Sequence, residues 1–235
     1  MIPAAGSGKR MANAIPKQYL SVHGRSVLEW ALLPFLTDDR CRRVVVAIAV
    51  DDAHWPRLHL QHAKLQVVSG GAERADSVLA GLNALLTDEG AAQEQDWVLV
   101  HDAARPCLHR ADLDALLAAL ESEPVGALLA APLADTLKQA DAKQRVEQTV
   151  PRAGLWRALT PQLFRLGPLR AALRSAVVRG LNVTDESSAM EAMGMHARLI
   201  TGRSDNLKIT VPEDLMLAES VLAARDSNTH TREPR

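Results

Sequence analysis

The stretch WVLVHDAARP, at residues 97–106, joins a short apolar run to a polar loop. A continuous apolar run of this length is typical of a strand that is covered on both faces of its sheet. Similar runs occur at residues 43–50, 65–68 and 127–132. Between the runs, apolar residues recur at helical spacing in 27–36, 74–86 and 111–120. This alternation of strand and helix predicts an α/β fold with a mostly parallel twisted sheet flanked by helices.

Length and composition limit the kinds of protein that the chain can be. The 235 residues are 47% hydrophobic, which is enough for a single core, and we expect one domain over residues 1–225. The formal net charge of -1 provides no overall field for nucleic acid or an anionic membrane, so neither partner is expected. Residues 226–235 lack apolar periodicity and are predicted to form a disordered tail.

Cysteine usage and the distribution of apolar residues predict a cellular location. Cys41 and Cys107 are far apart in sequence and lack the spacing of metal ligands. Two such cysteines suit a reducing compartment better than a disulfide framework. The chain also shows neither a leader pattern at its start nor an apolar segment of bilayer length. These features predict a cytoplasmic protein.

Two segments depart from the alternation of strand and helix. Residues 135–139 and 146–150 alternate polar with apolar side chains around a polar turn, which predicts a β-hairpin arm over about 133–153. An isolated hairpin is marginally stable in water, so the arm is expected to need a partner surface. At the other end, Met1 stands almost directly before a glycine-containing loop. The first strand is therefore expected to be very short or truncated.

The first motif with chemical content is PAAGSGKRM at residues 3–11, followed by PKQYL at 16–20. Glycines allow several backbone N–H groups to face one anion, and Arg10 and Lys17 add full positive charges. The segment lacks the third glycine of a dinucleotide fingerprint and the Gly-Lys-Ser/Thr of a P-loop, so an ordinary turn is the alternative. The two cations favour a loop that binds a triphosphate.

Two further motifs follow predicted strands. Gly70 and Gly71 open the segment GGAERADSV, which is either a simple break before a helix or a loop at the carboxyl edge of the sheet, where α/β folds bind ligands. In the second case Ser77 would face the base or sugar. Asp102 follows the strand at 97–100, which is a common place for a Mg²⁺-binding carboxylate, and Arg105 can form a planar fork to a phosphate. The alternative is a structural Asp–Arg pair that caps a turn.

Three later segments complete a pattern, namely LWRALTPQ at 155–162, TDE at 184–186 and NLKIT at 206–210. With the motifs above, they resemble the 2-C-methyl-D-erythritol 4-phosphate cytidylyltransferases over residues 2–222. The resemblance implies a Rossmann-like fold of the nucleotide-diphospho-sugar transferase type. It also implies transfer of CMP from CTP to 2-C-methyl-D-erythritol 4-phosphate in the non-mevalonate pathway, with Mg²⁺ or another divalent cation. The expected partner is a second copy, in a homodimer with exchanged hairpin arms.

The resemblance also implies roles for particular residues. The catalytic cations that surround the reacting phosphate would be Arg10, Lys17 and Lys208. The nucleotide would be bound by Ala4, Ala5, Gly6, Gly8, Gly71, Arg74, Ser77 and Asp102, with Asp102 also the metal ligand. The acceptor would be bound by Arg105, Thr136, Arg152, Thr160 and Thr184.

The expected chemistry requires cations rather than a general base. A phosphate monoester is largely dianionic near neutral pH because its second pKa is near 6. His101 is therefore not an obligatory base. Two alternatives remain at this point, namely another sugar- or polyol-phosphate nucleotidyltransferase of the same fold and a non-catalytic nucleotide-binding module. The segments that contain Thr160, Thr184 and Lys208 count against the first, and the group of charged residues counts against the second.

Overall fold

The computed structural model describes residues 1–6, 15–87 and 91–230, with side chains through residue 226. The strands within these ranges are β1 (Ile2–Pro3), β2 (Ser21–Val22), β3 (Arg25–Ser26), β4 (Val44–Ile48), β5 (Leu65–Ser69), β6 (Trp97–Val100), β7 (Gly126–Pro132), β8 (Leu137–Ala140), β9 (Val146–Val150), β10 (Trp156–Arg165) and β11 (Arg198–Thr201). The α-helices are α1 (Val27–Leu36), α2 (Arg74–Leu85), α3 (Arg110–Ala118), α4 (Leu166–Val178), α5 (Glu186–Glu191) and α6 (Glu213–His230).

The main strands form two sheets that meet at the first residue. One sheet has the order β1-β4-β5 and is parallel, and the other has the order β11-β7-β10-β6. The backbone nitrogen of Met1 donates to the carbonyl of Leu99 at 2.7 Å, and the N–H of His101 donates to the carbonyl of Met1 at 3.0 Å. These bonds place β1 beside β6. The carboxyl ends of β1, β5 and β6 therefore lie along one region of the molecule.

The predicted α/β fold is confirmed, with one strand of unexpected direction. The pair β11 and β7 is parallel, as are the pairs of the first sheet, but β10 is antiparallel to both of its neighbours. The pairing of β10 with β7 is interrupted between Ala158 and Gln162. Residues 155–162 show no simple strand pattern in the sequence, because Thr160, Pro161 and Gln162 interrupt the apolar run.

The core explains why the strands read as continuous apolar runs. Val44 and Val46 of β4 pack in the cluster that includes α1 and α3, while Val45 and Ala47 pack in the cluster that includes α2 and α4. Successive side chains of a strand point to opposite faces, so helices on both faces require every position to be apolar. The bounds predicted for α1 are those observed, and Ser26 caps this helix by accepting a hydrogen bond from the N–H of Glu29 at 3.2 Å.

The predicted hairpin is present as the antiparallel pair β8 and β9. All of its side chains are exposed or half-buried, and Val146 retains 64% of its accessible surface. The arm therefore has apolar surface without a core of its own.

Both ends of the chain can be compared with expectation. Strand β1 has two residues, as predicted for a very short first strand. Helix α6 continues to His230, five residues beyond the predicted domain boundary at residue 225. The last turns of α6 are polar, and a helix that is already formed propagates through such residues without apolar periodicity. Within the described ranges, no helix has both the length and the apolar character needed to span a membrane.

Candidate active site

A cleft of about 380 Å³ opens where β1, β5 and β6 end. Its walls come from four segments that are distant in sequence: the loop after β1, the turn of 3-10 helix at Lys17–Tyr19, the start of α2 and the loop after β6. Lys208 and Thr210 complete the cleft from the loop before α6. Most of the residues predicted to bind nucleotide line it, namely Ala4, Ala5, Gly6, Gly71, Arg74, Ser77 and Asp102, together with Lys17 and Lys208. The predicted residues Gly8 and Arg10 lie outside the described ranges.

Gln18 fixes the loop after β1. Its side-chain amide donates to the carbonyl of Ala4 at 2.7 Å and to the carbonyl of Gly6 at 3.0 Å, and only 4% of the residue is exposed. Both amide hydrogens are therefore used to hold the loop against the turn that contains Lys17. This turn is held in its place by Tyr19, whose hydroxyl donates to the carboxylate of Asp52 at 2.7 Å.

The glycine pair after β5 packs tightly against the same loop. A Cβ atom at Gly70 would lie 2.7 Å from both the Cβ of Ala5 and the Oγ of Ser77, closer than real side chains approach. The Ser77 hydroxyl accepts a hydrogen bond from the N–H of Gly71 and donates to the carbonyl of Glu73, both at 3.2 Å. Ser77 lines the cleft and its hydroxyl holds the loop, while its predicted contact with the base or sugar stays a prediction.

Three cations surround Asp102, the acidic residue that follows β6. Its Oδ1 accepts from Nε of Arg74 at 3.1 Å, and its Oδ2 lies 2.9 Å from Nζ of Lys208 and 3.4 Å from Nε of Arg105. Burial alone would raise the pKa of Asp102, but the attraction of the three cations holds this pKa well below its usual value. Asp102 is therefore ionised at any pH at which the protein is expected to work.

Arg74 connects this cluster to a second carboxylate. Its Nη1 and Nη2 donate to the two oxygens of Glu186, at 2.6 and 3.0 Å. Glu186 is the first residue of α5 and is fully buried. Burial raises the pKa of Glu186, and the charge of Arg74 opposes this rise. The guanidinium therefore joins a carboxylate at the cleft to one beneath it.

A neutral network lies under Asp102. The N–H of Asp102 donates to the hydroxyl of Thr160 at 3.0 Å, and this hydroxyl lies 3.0 Å from Nδ1 of His101. The Nε2 of His101 lies 3.1 Å from the carbonyl of Arg105. Each of these groups has a hydrogen-bond partner if the Thr160 hydroxyl donates to Nδ1 of His101 and the proton of the ring is on Nε2. Burial lowers the pKa of His101 to about 4, so the ring is neutral at pH 7 and is out of contact with the cleft.

The two lysines of the cleft are attached to one loop. Lys17 donates from Nζ to the carbonyl of Ile209 at 2.8 Å, and the N–H of Ile209 donates to the carbonyl of Ala104 at 2.8 Å. Nη1 of Arg105 donates to the carbonyl of Asn206 at 2.7 Å. These bonds bring Lys17 and Lys208 to the same end of the cleft, although 191 residues separate them in sequence (208 minus 17).

The residues predicted to bind the acceptor are less concentrated. Arg105 and Thr160 are buried and do not line the cleft, and their hydrogen-bonding groups contact other parts of the protein. Thr184 is exposed just before α5. Thr136 and Arg152 are exposed at the base of the arm. None of these five side chains lines the cleft, and their role in acceptor binding stays a prediction.

The residues around Asp102 do not fit a protein-held metal centre. Both carboxylate oxygens already accept from cationic groups, and a divalent ion would have to displace them. Among the described residues, no cluster of three or more His, Cys, Asp or Glu side chains could hold a metal ion. Asp102 is therefore better described as the anchor of Arg74, Arg105 and Lys208.

Sequence reasoning did not assign roles to two residues that organise the cleft. Gln18 stands between Lys17 and Tyr19 within a quoted motif, and Glu186 ends the quoted segment TDE. Because both residues lie within quoted motifs, the sequence indicates that each has a structural or functional role. Their partners lie up to 112 residues away, so no local pattern reveals what each side chain contacts.

Comparison with known proteins gives a consistent result. The family model for 2-C-methyl-D-erythritol 4-phosphate cytidylyltransferase matches residues 1–224. The chain is 54% identical over 227 residues to the enzyme of that name from Ectopseudomonas mendocina, covering 96% of both chains.

Two solved structures with the same name have the same fold. The one from Francisella tularensis is 36% identical with a TM-score of 0.80, covering 94% of this chain and 97% of its own. The one from Thermus thermophilus is 32% identical with a TM-score of 0.76, again covering 94% and 97%. The sequence motifs, the cleft and these similarities agree, and the chain belongs to the 2-C-methyl-D-erythritol 4-phosphate cytidylyltransferase family.

Proposed function

We propose that this protein transfers the cytidylyl group of CTP to 2-C-methyl-D-erythritol 4-phosphate and releases pyrophosphate, as an enzyme of the non-mevalonate isoprenoid pathway. Family membership over residues 1–224 supports the reaction. The observation that carries the proposal is the cleft itself. Lys17, Lys208 and the Arg74–Asp102 pair converge there beside two glycine-containing loops.

The proposed mechanism is an in-line displacement at the α-phosphorus of CTP. The acceptor phosphate supplies the attacking oxygen and is already ionised, so no side chain has to remove a proton. His101 is buried and neutral, which is consistent with this view. Lys17 and Lys208, with Arg10 as a further predicted contact, would hold the two anions in line and stabilise the charge that develops on the α-phosphoryl oxygens and on pyrophosphate.

The divalent cation is proposed to arrive as part of the nucleotide substrate, in a complex of Mg²⁺ with CTP. Mg²⁺ is commonly held by phosphate oxygens and water with few protein ligands. The protein then has to supply binding groups for the remaining negative charge, and the lysines of the cleft are suited to this role.

We propose that the active enzyme is a homodimer in which each arm contributes to the cleft of the other subunit. The exposed β8–β9 hairpin, with Val146 at 64% exposure, supports this assembly because apolar side chains on an isolated arm gain stability by packing against a partner. Thr136 and Arg152, which stand at the base of the arm, would reach the acceptor in that arrangement. Arg105, Thr160 and Thr184 would shape the acceptor site from the subunit that binds CTP.

A cytoplasmic location is part of the same proposal. Both cysteines are free thiols, with Cys41 half-buried and Cys107 buried. Unpaired cysteines suit a reducing compartment.

A pyrophosphate-release assay tests the proposed function. CTP, UTP, ATP and GTP are each paired with 2-C-methyl-D-erythritol 4-phosphate, and CTP is then paired with other polyol and sugar phosphates. We expect a strong preference in kcat/KM for CTP, because the small loop at Gly70 and Gly71 would exclude a purine, and its backbone groups would read the cytosine edge and so distinguish CTP from UTP. Equal turnover of ATP or UTP would contradict the cytidine specificity, and CTP binding without pyrophosphate release would indicate a binding module.

A further inference from the structure

Glu186 is a fully buried carboxylate that the proposed mechanism does not use. It lies at the first position of α5, outside the cleft, and both of its oxygens bind the guanidinium of Arg74. A buried charge that lost this partner would be strongly destabilising. The side chain is therefore committed to Arg74.

The fork of Arg74 is divided between two carboxylates. Nη1 and Nη2 face Glu186, while Nε and Nη2 face Oδ1 of Asp102, each at 3.1 Å. A guanidinium is planar and rigid, so fixing one of its edges fixes the direction of the other. Glu186 therefore fixes the orientation of the guanidinium edge of Arg74 that faces Asp102 at the cleft.

We propose that Glu186 is a positioning residue for the nucleoside part of the nucleotide, which it orients through Arg74 and Asp102. The inference rests on the proposed function, and it takes Arg74, beside Gly71 and Ser77, as the cytidine end of the cleft and the two lysines as the phosphate end. It concerns the nucleoside end only. At the phosphate end, Lys17 is held separately by its bond to the carbonyl of Ile209, while Lys208 pairs with the other oxygen of Asp102 and does not contact Glu186.

A simple charge effect would act in the opposite direction. Among the five charged groups of the cluster, three are positive and two are negative: Arg74, Arg105 and Lys208 against Asp102 and Glu186. Removing the charge of Glu186 makes the cluster more positive, which on its own strengthens the binding of every anion. Loss of positioning weakens the binding of the nucleoside instead.

Calorimetric binding of CMP and of inorganic pyrophosphate separates these effects in the full-length protein. For Glu186→Gln we expect the Kd for CMP to rise by about tenfold, while the Kd for pyrophosphate stays the same or falls. Glu186→Asp keeps the charge but shortens the reach, so it should also weaken CMP and leave pyrophosphate unchanged.

Asp185→Ala is the matched control, because it damages the same helix without touching Arg74. The Asp185 carboxylate caps α5 by accepting from the N–H of Ser188 at 2.9 Å. This variant should lower the Tm while the Kd for CMP stays within about twofold of the wild-type value. In an Arg74→Gln background, adding Glu186→Gln should change the Kd for CMP by less than about twofold, because the residue acts through Arg74.

Several results would overturn the inference. Equal weakening of CMP and pyrophosphate in Glu186→Gln, together with a loss of Tm like that of Asp185→Ala, would show that Glu186 only stabilises the fold. Tighter binding of both ligands would show that only its charge matters. Wild-type protein that binds CMP but does not turn over CTP would contradict the proposed function, and the variants would still test the positioning role of Glu186. Wild-type protein that binds no CMP would contradict the proposed function and the positioning role.

Discussion

The Nζ atom of Lys208 lies 2.9 Å from Oδ2 of Asp102, at the mouth of the cleft. The Asp102 carboxylate is 9% exposed, while the Lys208 side chain is 39% exposed, so a buried anion holds a cation that can still reach a ligand. Three cations share this one carboxylate, which keeps mutually repelling groups close together without a bound anion. The pair explains how several cations can be held together at the cleft of a protein with a net charge of -1.

We expect Asp102→Asn to lower kcat because the cations lose their common anchor. A displacement of about 1 Å in a reacting group can reduce the rate on the order of a hundredfold. The half-saturating concentration of Mg²⁺ should be unchanged, since the carboxylate is assigned as an anchor and not as a metal ligand. Titration of the variant with Mg²⁺ at fixed CTP measures this. A large rise in the half-saturating concentration of Mg²⁺ would show that Asp102 binds the metal.

We expect Lys17→Ala to lower kcat far more than it raises the KM for CTP. A charge directed at the developing negative charge acts mainly in the transition state, and its loss is worth on the order of a hundredfold or more. Steady-state kinetics of the variant give both constants. Lys64→Ala, which removes a lysine outside the cleft, is the control for a change in overall charge. An unchanged kcat with a raised KM would make Lys17 a ground-state anchor.

We expect the stability of the protein to fall as the pH is lowered from 6.5 towards 4. Burial lowers the pKa of His101 from 6.5 to about 4, so the unfolded chain binds the additional proton first as the pH falls. The stabilisation is present above pH 6.5 and is lost as the pH approaches 4. The effect is on the order of 3 kcal/mol at 1.36 kcal/mol per unit.

Urea denaturation at a series of pH values measures this dependence. His101→Gln can still accept from Thr160 and donate to the Arg105 carbonyl, but it does not titrate. Its free energy of unfolding should change less than that of the wild type between pH 6.5 and 4. If the free energy of unfolding changed equally with pH in the two proteins, His101 would not contribute to the pH dependence of stability.

We expect the acceptor site to be shared between two subunits. Lys17→Ala and Arg152→Ala homodimers should each be nearly inactive. In a mixed dimer, one site has both lesions and the other has neither, so refolding equal amounts together should give about a quarter of wild-type activity. A mixture no more active than its components would show that Arg152 acts within its own chain. Sedimentation of each variant provides the control that dimers form.

Local patterns in the sequence were sufficient for β4 to β7, the β8–β9 hairpin, helix α1 and the edge of the sheet where the cleft lies, whereas β10 and β11 were not predicted. Apolar runs and helical periodicity predicted the covered strands and the bounds of α1, because burial on both faces leaves a repeated trace in the chain. Glycine pairs and the acidic residue after β6 marked the carboxyl edge, since loops that follow parallel strands meet there. Family resemblance assigned the lysines, and the structure places Lys17 and Lys208 in one cleft.

The contacts of the buried polar groups, in contrast, became known only from the folded chain. Thr160 and Arg105 had been expected to face the acceptor, yet their polar atoms hold Asp102 and the loop at Asn206. Glu186 reaches Arg74 across 112 residues. Hydrogen bonds of this kind depend on which segments the fold brings within about 3 Å, and such distances leave no periodic signal in the sequence.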